Sequence, residues 1–173
     1  MQRALLTERL RLEPMSSIHT EGMVALHADP ATLQFIGPGQ PYPRQGTINM
    51  MSRMQERWRA QGYGWWALVD RKDWGLVGAA ALDHLDHDRS KPLELSWRVR
   101  RPLWGKGYAT EAAREIARFA FEDLGAAEVY AVAREANAAS IRVMEKIGMK
   151  PVGVQRHWGE DLPTYVLTRG EGA

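Results

Sequence analysis

Hydrophobic positions along the chain switch between two periods, and each switch marks an element. Leu10 and Leu12 alternate with Arg9 and Arg11, so residues 5–14 are expected to form a first strand that Pro14 stops. Ser16 or Ser17 can cap a helix through Met23 and Leu26 to about Ala28, and Asp29 with Pro30 opens a short helical piece over 31–35. Residues 37–43 are too rich in Gly and Pro for regular structure. Ile48, Met51 and Trp58 share one face of a longer helix that Gly62 ends. Strand-like runs at 63–69 and 75–82 flank the polar turn Asp70 to Asp73, which predicts an antiparallel hairpin.

The most informative change of period lies between Glu94 and Glu111. Leu95, Trp97 and Val99 alternate with Ser96, Arg98 and Arg100, the pattern of a strand. From Ala109 the spacing becomes helical, with Ala112, Ala113, Ile116, Ala120 and Leu124 in a stripe that Gly125 can terminate. Gly105 and Gly107 sit between the two, where missing Cβ atoms permit a tight turn and close approach to the backbone amides. Free N–H groups and the positive end of the helix dipole at such a turn suit a phosphate or pyrophosphate. Beyond it, residues 128–133 predict a strand, Asn137 a helix cap, and Ile141, Met144 and Ile147 a helix ended by Gly148. Two closing strands, 149–154 and 163–167, are expected around a polar loop at 155–161.

Composition narrows the picture without deciding it. A chain of 173 residues, 45% hydrophobic and 25% charged, is expected to be one domain (1–173) with a real core. Net charge of +2 advertises neither nucleic acid nor a membrane, and no segment approaches the roughly 18 apolar residues of a membrane span. A cytoplasmic location is the default expectation. Without cysteine there is no thiol nucleophile and no cysteine metal site. His84, Asp86 and His87 are dense enough to consider a divalent cation, but their spacing matches no common zinc or calcium pattern, so a polar loop and no metal are expected.

Three glycine patterns compete for the turn. A Walker loop requires Ser or Thr after its lysine, and Gly107 follows Lys106. The dinucleotide fingerprint requires a third glycine where Thr110 stands, which leaves a Rossmann oxidoreductase the least supported possibility. The run from Trp104 through Gly105, Lys106, Gly107, Tyr108, Ala109, Thr110 and Glu111 to Ala112 instead closely resembles the acetyl-CoA pyrophosphate loop of the GNAT superfamily of N-acetyltransferases. It is most similar to the branch of ribosomal-protein alanine acetyltransferases. The order of predicted elements extends the resemblance over nearly the whole chain, most strongly from Glu94 to Met149.

That resemblance implies an α/β (α+β) acyl-CoA N-acyltransferase fold: a mixed, mostly antiparallel sheet of six to seven strands, splayed at its centre and flanked by about four helices. It implies acetyl transfer from acetyl-CoA to a primary amine, either a protein N-terminus or a small molecule, by direct attack in a ternary complex. The amides of Gly105, Lys106, Gly107, Tyr108 and Ala109, with the Thr110 hydroxyl, are expected to hold the diphosphate, and Arg100 and Arg101 lie close upstream. Trp97, Arg98 and Val99 are expected to border the splay that takes the pantetheine arm, with Asn137 contacting that arm. Holding both reactants in register can supply as much as ~7–11 kcal/mol, so positioning alone can provide most of the catalysis.

The family pattern is not complete. Pro102 stands where Arg or Gln is usual, and Met144 where many members have a tyrosine acid. Ser140, three residues after Asn137, is the serine of the ribosomal-type branch and the expected hydrogen-bond donor to the coenzyme sulfur; a helix-start serine is the competing reading. Glu94 is the expected base, direct or through water, unless it is a solvated strand end. Tyr42 with the loop 37–43, and His157, Glu160 and Asp161, are candidates to line the acceptor site. A homodimer is possible for similar proteins, and the alternative function is a non-catalytic acyl-CoA-binding regulatory domain.

Overall fold

The computed structural model describes residues 4–170. Its eight strands form one sheet: β1 (Leu5–Leu6), β2 (Leu10–Pro14), β3 (Trp65–Asp70), β4 (Leu76–His84), β5 (Leu93–Val99), β6 (Glu128–Val132), β7 (Lys150–His157) and β8 (Glu160–Thr168), in the order β1-β2-β3-β4-β5-β6-β8-β7. Every neighbouring pair is antiparallel except β5 and β6. Those two run parallel and pair only at Glu94 and Tyr130. Past that point the strands part, which is the expected central splay.

Five α-helices flank the sheet: α1 (Thr20–Ala28), α2 (Pro30–Leu33), α3 (Arg44–Gln61), α4 (Tyr108–Glu122) and α5 (Ala138–Lys146). On one face α4 presents Ala112, Ile116 and Ala120, all buried, to Leu68, Leu82 and Leu95. The two alanines let the helix lie close to the strands, and each fully buried Leu or Ile contributes about 1.5–3 kcal/mol. The opposite face, under α1 and α3, is a methionine-rich core of Met15, Met23, Met51 and Met54 against Ala67 and Ala79.

Two expectations need correction. The sheet has eight strands rather than six or seven, because residues 5–14 are not one strand: Thr7 accepts the Leu10 amide and turns the chain, so Leu5 and Leu6 pair back on Leu12 and Arg11. Five helices stand in place of about four, since the piece opened by Pro30 closes a full α turn with Asp29 capping the Ala31 amide at 2.9 Å. The last hairpin is also longer than its hydrophobic run. β7 and β8 continue through polar residues to Trp158 and Gly159, whose positive φ values (55° and 75°) make a two-residue turn suited to the strand twist.

Candidate active site

Two clefts open on either side of the splay and share a floor. The first, about 280 Å³, runs beside the glycine turn and α5; the second, about 610 Å³, lies on the α1–α3 face of the sheet. Phe35, Ile36, Trp97, Arg98, Asn137 and Ser140 line both. A reactant in one cleft therefore meets a reactant in the other at these six residues.

Gly105 (φ 73°) and Gly107 (φ 84°) occupy left-handed conformations, and Gly107 caps α4. A Cβ on Gly105 would touch nothing within 4 Å, so glycine is required there for the backbone angle rather than for room. Gly105, Gly107, Tyr108, Ala109 and Thr110 line the first cleft. Lys106 does not, because its carbonyl turns back to accept Arg9 Nη1 at 2.8 Å. Arg9 braces the loop from behind: its guanidinium lies 4.4 Å from the centre of the Tyr108 ring and donates Nε to Glu111 at 2.7 Å. Glu111 also accepts Thr7 Oγ1 and the Arg9 amide, bonds that outweigh burial and hold its carboxyl below the ordinary range. It thus acts as a buckle between the first strands and the loop. Arg100 bonds the Leu76 carbonyl, and neither it nor Arg101 lines the cleft; Arg142 and Lys146 on α5 join Arg98 as its cations. Their i, i+4 spacing on one helix face was the available signal.

Asn137 caps α5 by accepting the Ser140 amide at 3.2 Å, which leaves its side-chain N–H₂ free to donate. Met144 is buried in the core and lines neither cleft.

The second cleft takes its chemistry from the face of β5 that carries Glu94, Ser96 and Arg98. Cross-strand neighbours on that face are Asp83, Ala81 and Ala79 of β4, and the alanines leave space above the sheet. Glu94 is 8% exposed. Burial pushes its carboxyl up to about 8; the polar indole of Trp158, which lines the same cleft, opposes this, and the charges of Asp83 and Asp86 add to it. Asp83, directly opposite, behaves otherwise: burial raises it, but bonds from His87, the His84 amide and Arg57 bring it down to about 2. The two adjacent carboxyls are thus poised differently, one ionised and one protonated near neutrality. Glu160 also lines the cleft, paired with Arg134 at 2.6 Å, and Arg134 binds the Gly37 carbonyl at 2.8 Å.

Other expected residues lie elsewhere. Tyr42 packs its ring 5.4 Å from His27 and does not line the cleft, whereas Phe35, Ile36 and Gly37 of the same connection do. Asp161 pairs with Arg156 in solvent, and His157 is buried against Asp86 and Gln155. Trp158, between His157 and Glu160, joins Glu160 as the hairpin's contribution to the site. Among the described residues no group of three or more His, Cys, Asp or Glu is arranged to hold a metal ion, and no helix is long and apolar enough to cross a membrane.

The family model for the acetyltransferase (GNAT) domain matches residues 9–150. The chain belongs to the GNAT acetyltransferase family. It is 31% identical over 156 residues to the FsC-acetyl coenzyme A-N(2)-transacetylase of Aspergillus fumigatus, which covers 87% of this chain but only 66% of that protein, just under two thirds. The protein YkkB of Bacillus subtilis is 28% identical over 162 residues, 93% of each chain. An acetyltransferase from Agrobacterium tumefaciens superposes with a TM-score of 0.81 at 25% identity, covering 96% of this chain and 95% of that one. A GNAT-family structure from Bacillus anthracis has the same TM-score at 23% identity, a likeness of fold alone. The left-handed glycines, the helix start and the α5 cations of this GNAT domain fit a coenzyme A diphosphate and phosphate.

Proposed function

We propose that the protein transfers an acetyl group from acetyl-CoA to a primary amine by direct attack in a ternary complex. The observation that carries this is the meeting of the two clefts at Trp97, Arg98, Asn137 and Ser140, with a loop suited to diphosphate at one end and a buried, poised carboxyl at the other. Acetyl-CoA supplies the activated thioester. The amides of residues 105–110 and the α5 cations hold its phosphates, Asn137 contacts its arm, and Ser140 donates to the departing sulfur. Glu94 takes the proton from the incoming ammonium, directly or through water. With a pKa of about 8 it lies near enough to an alkylammonium for that transfer to run with little penalty.

Ser140 supports the ribosomal-type branch of the family, and the relative acting at an N(2) position supports a small-molecule amine. Both are amine acetylations. Titration calorimetry with acetyl-CoA, followed by thiol release over a panel of amines and peptides, tests the proposal. Binding without turnover on any acceptor would instead support the regulatory alternative that Met144 and Pro102 suggest; absence of binding sinks both.

A further inference from the structure

Of the two arginines that line the second cleft, Arg134 is paired with Glu160 and Arg98 has no acidic partner among the described residues. Arg57, outside that lining, is paired with Asp83. Arg98 extends across β4 over the small side chains of Ala79 and Ala81 to stack 4.3 Å above the Trp65 ring, and its Nη1 donates to His27 Nε2 at 2.8 Å. Its remaining polar contact among the described residues is the Met50 sulfur, at 4.0 Å, and its Nε is sealed from water with no partner. His27 cannot neutralise it. The imidazole is fully buried, and burial together with the Arg98 charge drives it down to about 3, so it serves only as a neutral acceptor whose Nδ1 faces Thr47 Oγ1 at 3.1 Å.

A part-buried cation held by a neutral histidine and an aromatic ring, with its Nε sealed from water, is expensive unless something compensates it. Purely structural service would need no charge, since a methionine would fill the same space between Trp65 and Met50. The cation sits where an acceptor must lie, on the same strand face as Glu94 and beside the junction of the two clefts. Arginine's planar fork matches a carboxylate, and burial of the pair strengthens it.

We propose that Arg98 seats a carboxylate of the acceptor, so that the substrate is an amine carrying a carboxylate, with its nitrogen toward Glu94 and its anion over Trp65. This rests on the acetyltransferase reading above and names the substrate class within it. The carboxylate can be the α-carboxylate of a free amino acid or the side chain of an acidic peptide N-terminus, and matched acceptors distinguish the two. Amino acids would be compared with their carboxamides, and dipeptides beginning with Asp or Glu with those beginning with Asn or Gln, by thiol release at saturating acetyl-CoA. In the wild type one acid series should exceed its amide series in kcat/KM by about 100-fold. Arg98→Met should reduce that ratio to near one, and Arg98→Lys should keep about tenfold of it. The ratio is read within each variant, so a general loss of rate does not affect it.

A second measurement needs neither turnover nor a variant. Protein labelled with ¹⁵N and saturated with CoA is titrated with sodium propionate, and with propionamide and sodium chloride as controls. The arginine side-chain signals should include one that shifts saturably with propionate alone. Equal use of acids and amides, a ratio that persists in Arg98→Met, or no propionate-specific shift overturns the inference. Failure of CoA itself to perturb the amides of Gly105 and Gly107 would overturn the acetyltransferase reading instead.

Discussion

Replacing Glu94 by Gln tests the poised carboxyl through stability, independently of any acceptor. A carboxyl of ordinary pKa 4.5 in the unfolded chain stands at about 8 in the folded one. Below pH 4.5 both states hold the proton and the native contribution is intact. As pH rises the unfolded state ionises first and is favoured, so stability falls until the folded group also ionises, near 8. At 1.36 kcal/mol per pH unit this interval corresponds to about 5 kcal/mol between pH 4 and pH 9. Urea unfolding of wild type and Glu94→Gln at pH 5, 7 and 9 measures it. The variant cannot ionise, so its advantage over wild type should grow by roughly 3–4 kcal/mol from pH 5 to pH 9. Activity should follow the complementary course: kcat/KM of wild type rises through an inflection near pH 8, and Glu94→Gln loses the inflection with about 10²–10⁴ in rate. A constant stability difference across pH would refute the buried, raised carboxyl. An inflection that survives in Glu94→Gln belongs to the acceptor amine and would remove Glu94 from the base role.

Trp158→Phe removes the polar indole that favours the Glu94 carboxylate, so the inflection should move upward in the same pH–rate profile. Ser140→Ala should lower kcat by ~10–100-fold while leaving the calorimetric Kd for CoA within about twofold, because the hydroxyl acts on the departing sulfur. Gly107→Ala forces a side chain into φ 84°, so melting should report a loss of about 1 kcal/mol and CoA binding should weaken. Glu111→Gln leaves the Arg9 cation unpaired behind the loop; CoA affinity and stability should both fall, by ~1–2 kcal/mol in unfolding experiments after allowance for the part-exposed arginine.

Legibility in the sequence followed the kind of force involved. The glycine turn, the strand 93–99 and both helices after it were readable because periodicity and capping are local. Glu94 was readable only as a position; Trp158, which shares its cleft, lies 64 residues away in a hairpin whose polar strand ends gave no alternating signal. Arg142 and Lys146 were visible on one helix face but gain meaning only when α5 is laid beside the loop. Arg98 was placed beside the splay from its strand, yet nothing in the strand says that His27, rather than an acid, awaits its guanidinium. Arg100 and Arg101 show the converse, since nearness in sequence to the loop did not bring them into the cleft.

The way Trp158 reaches Glu94 explains a cluster of backbone angles at the mouth of the second cleft. Asp86, His87 and Trp158 all have φ near +55°, unusual for residues with a Cβ. Asp86 makes this tolerable: one carboxylate oxygen accepts the Trp158 amide and the other accepts Lys91 Nζ at 2.6 Å. The β4–β5 connection and the last hairpin are thereby fastened together, and His87 meets the Trp158 ring edge-to-face at 4.6 Å between centroids. Strain of this kind persists only where surrounding bonds over-determine it, and here the bonds of Asp86 to the Trp158 amide and to Lys91 do so beside the cleft that holds Glu94. The carboxyl's environment is therefore set by two loops that neither helix nor sheet formation would otherwise bring together, which is why the poise of Glu94 depends on residues remote from it in the chain.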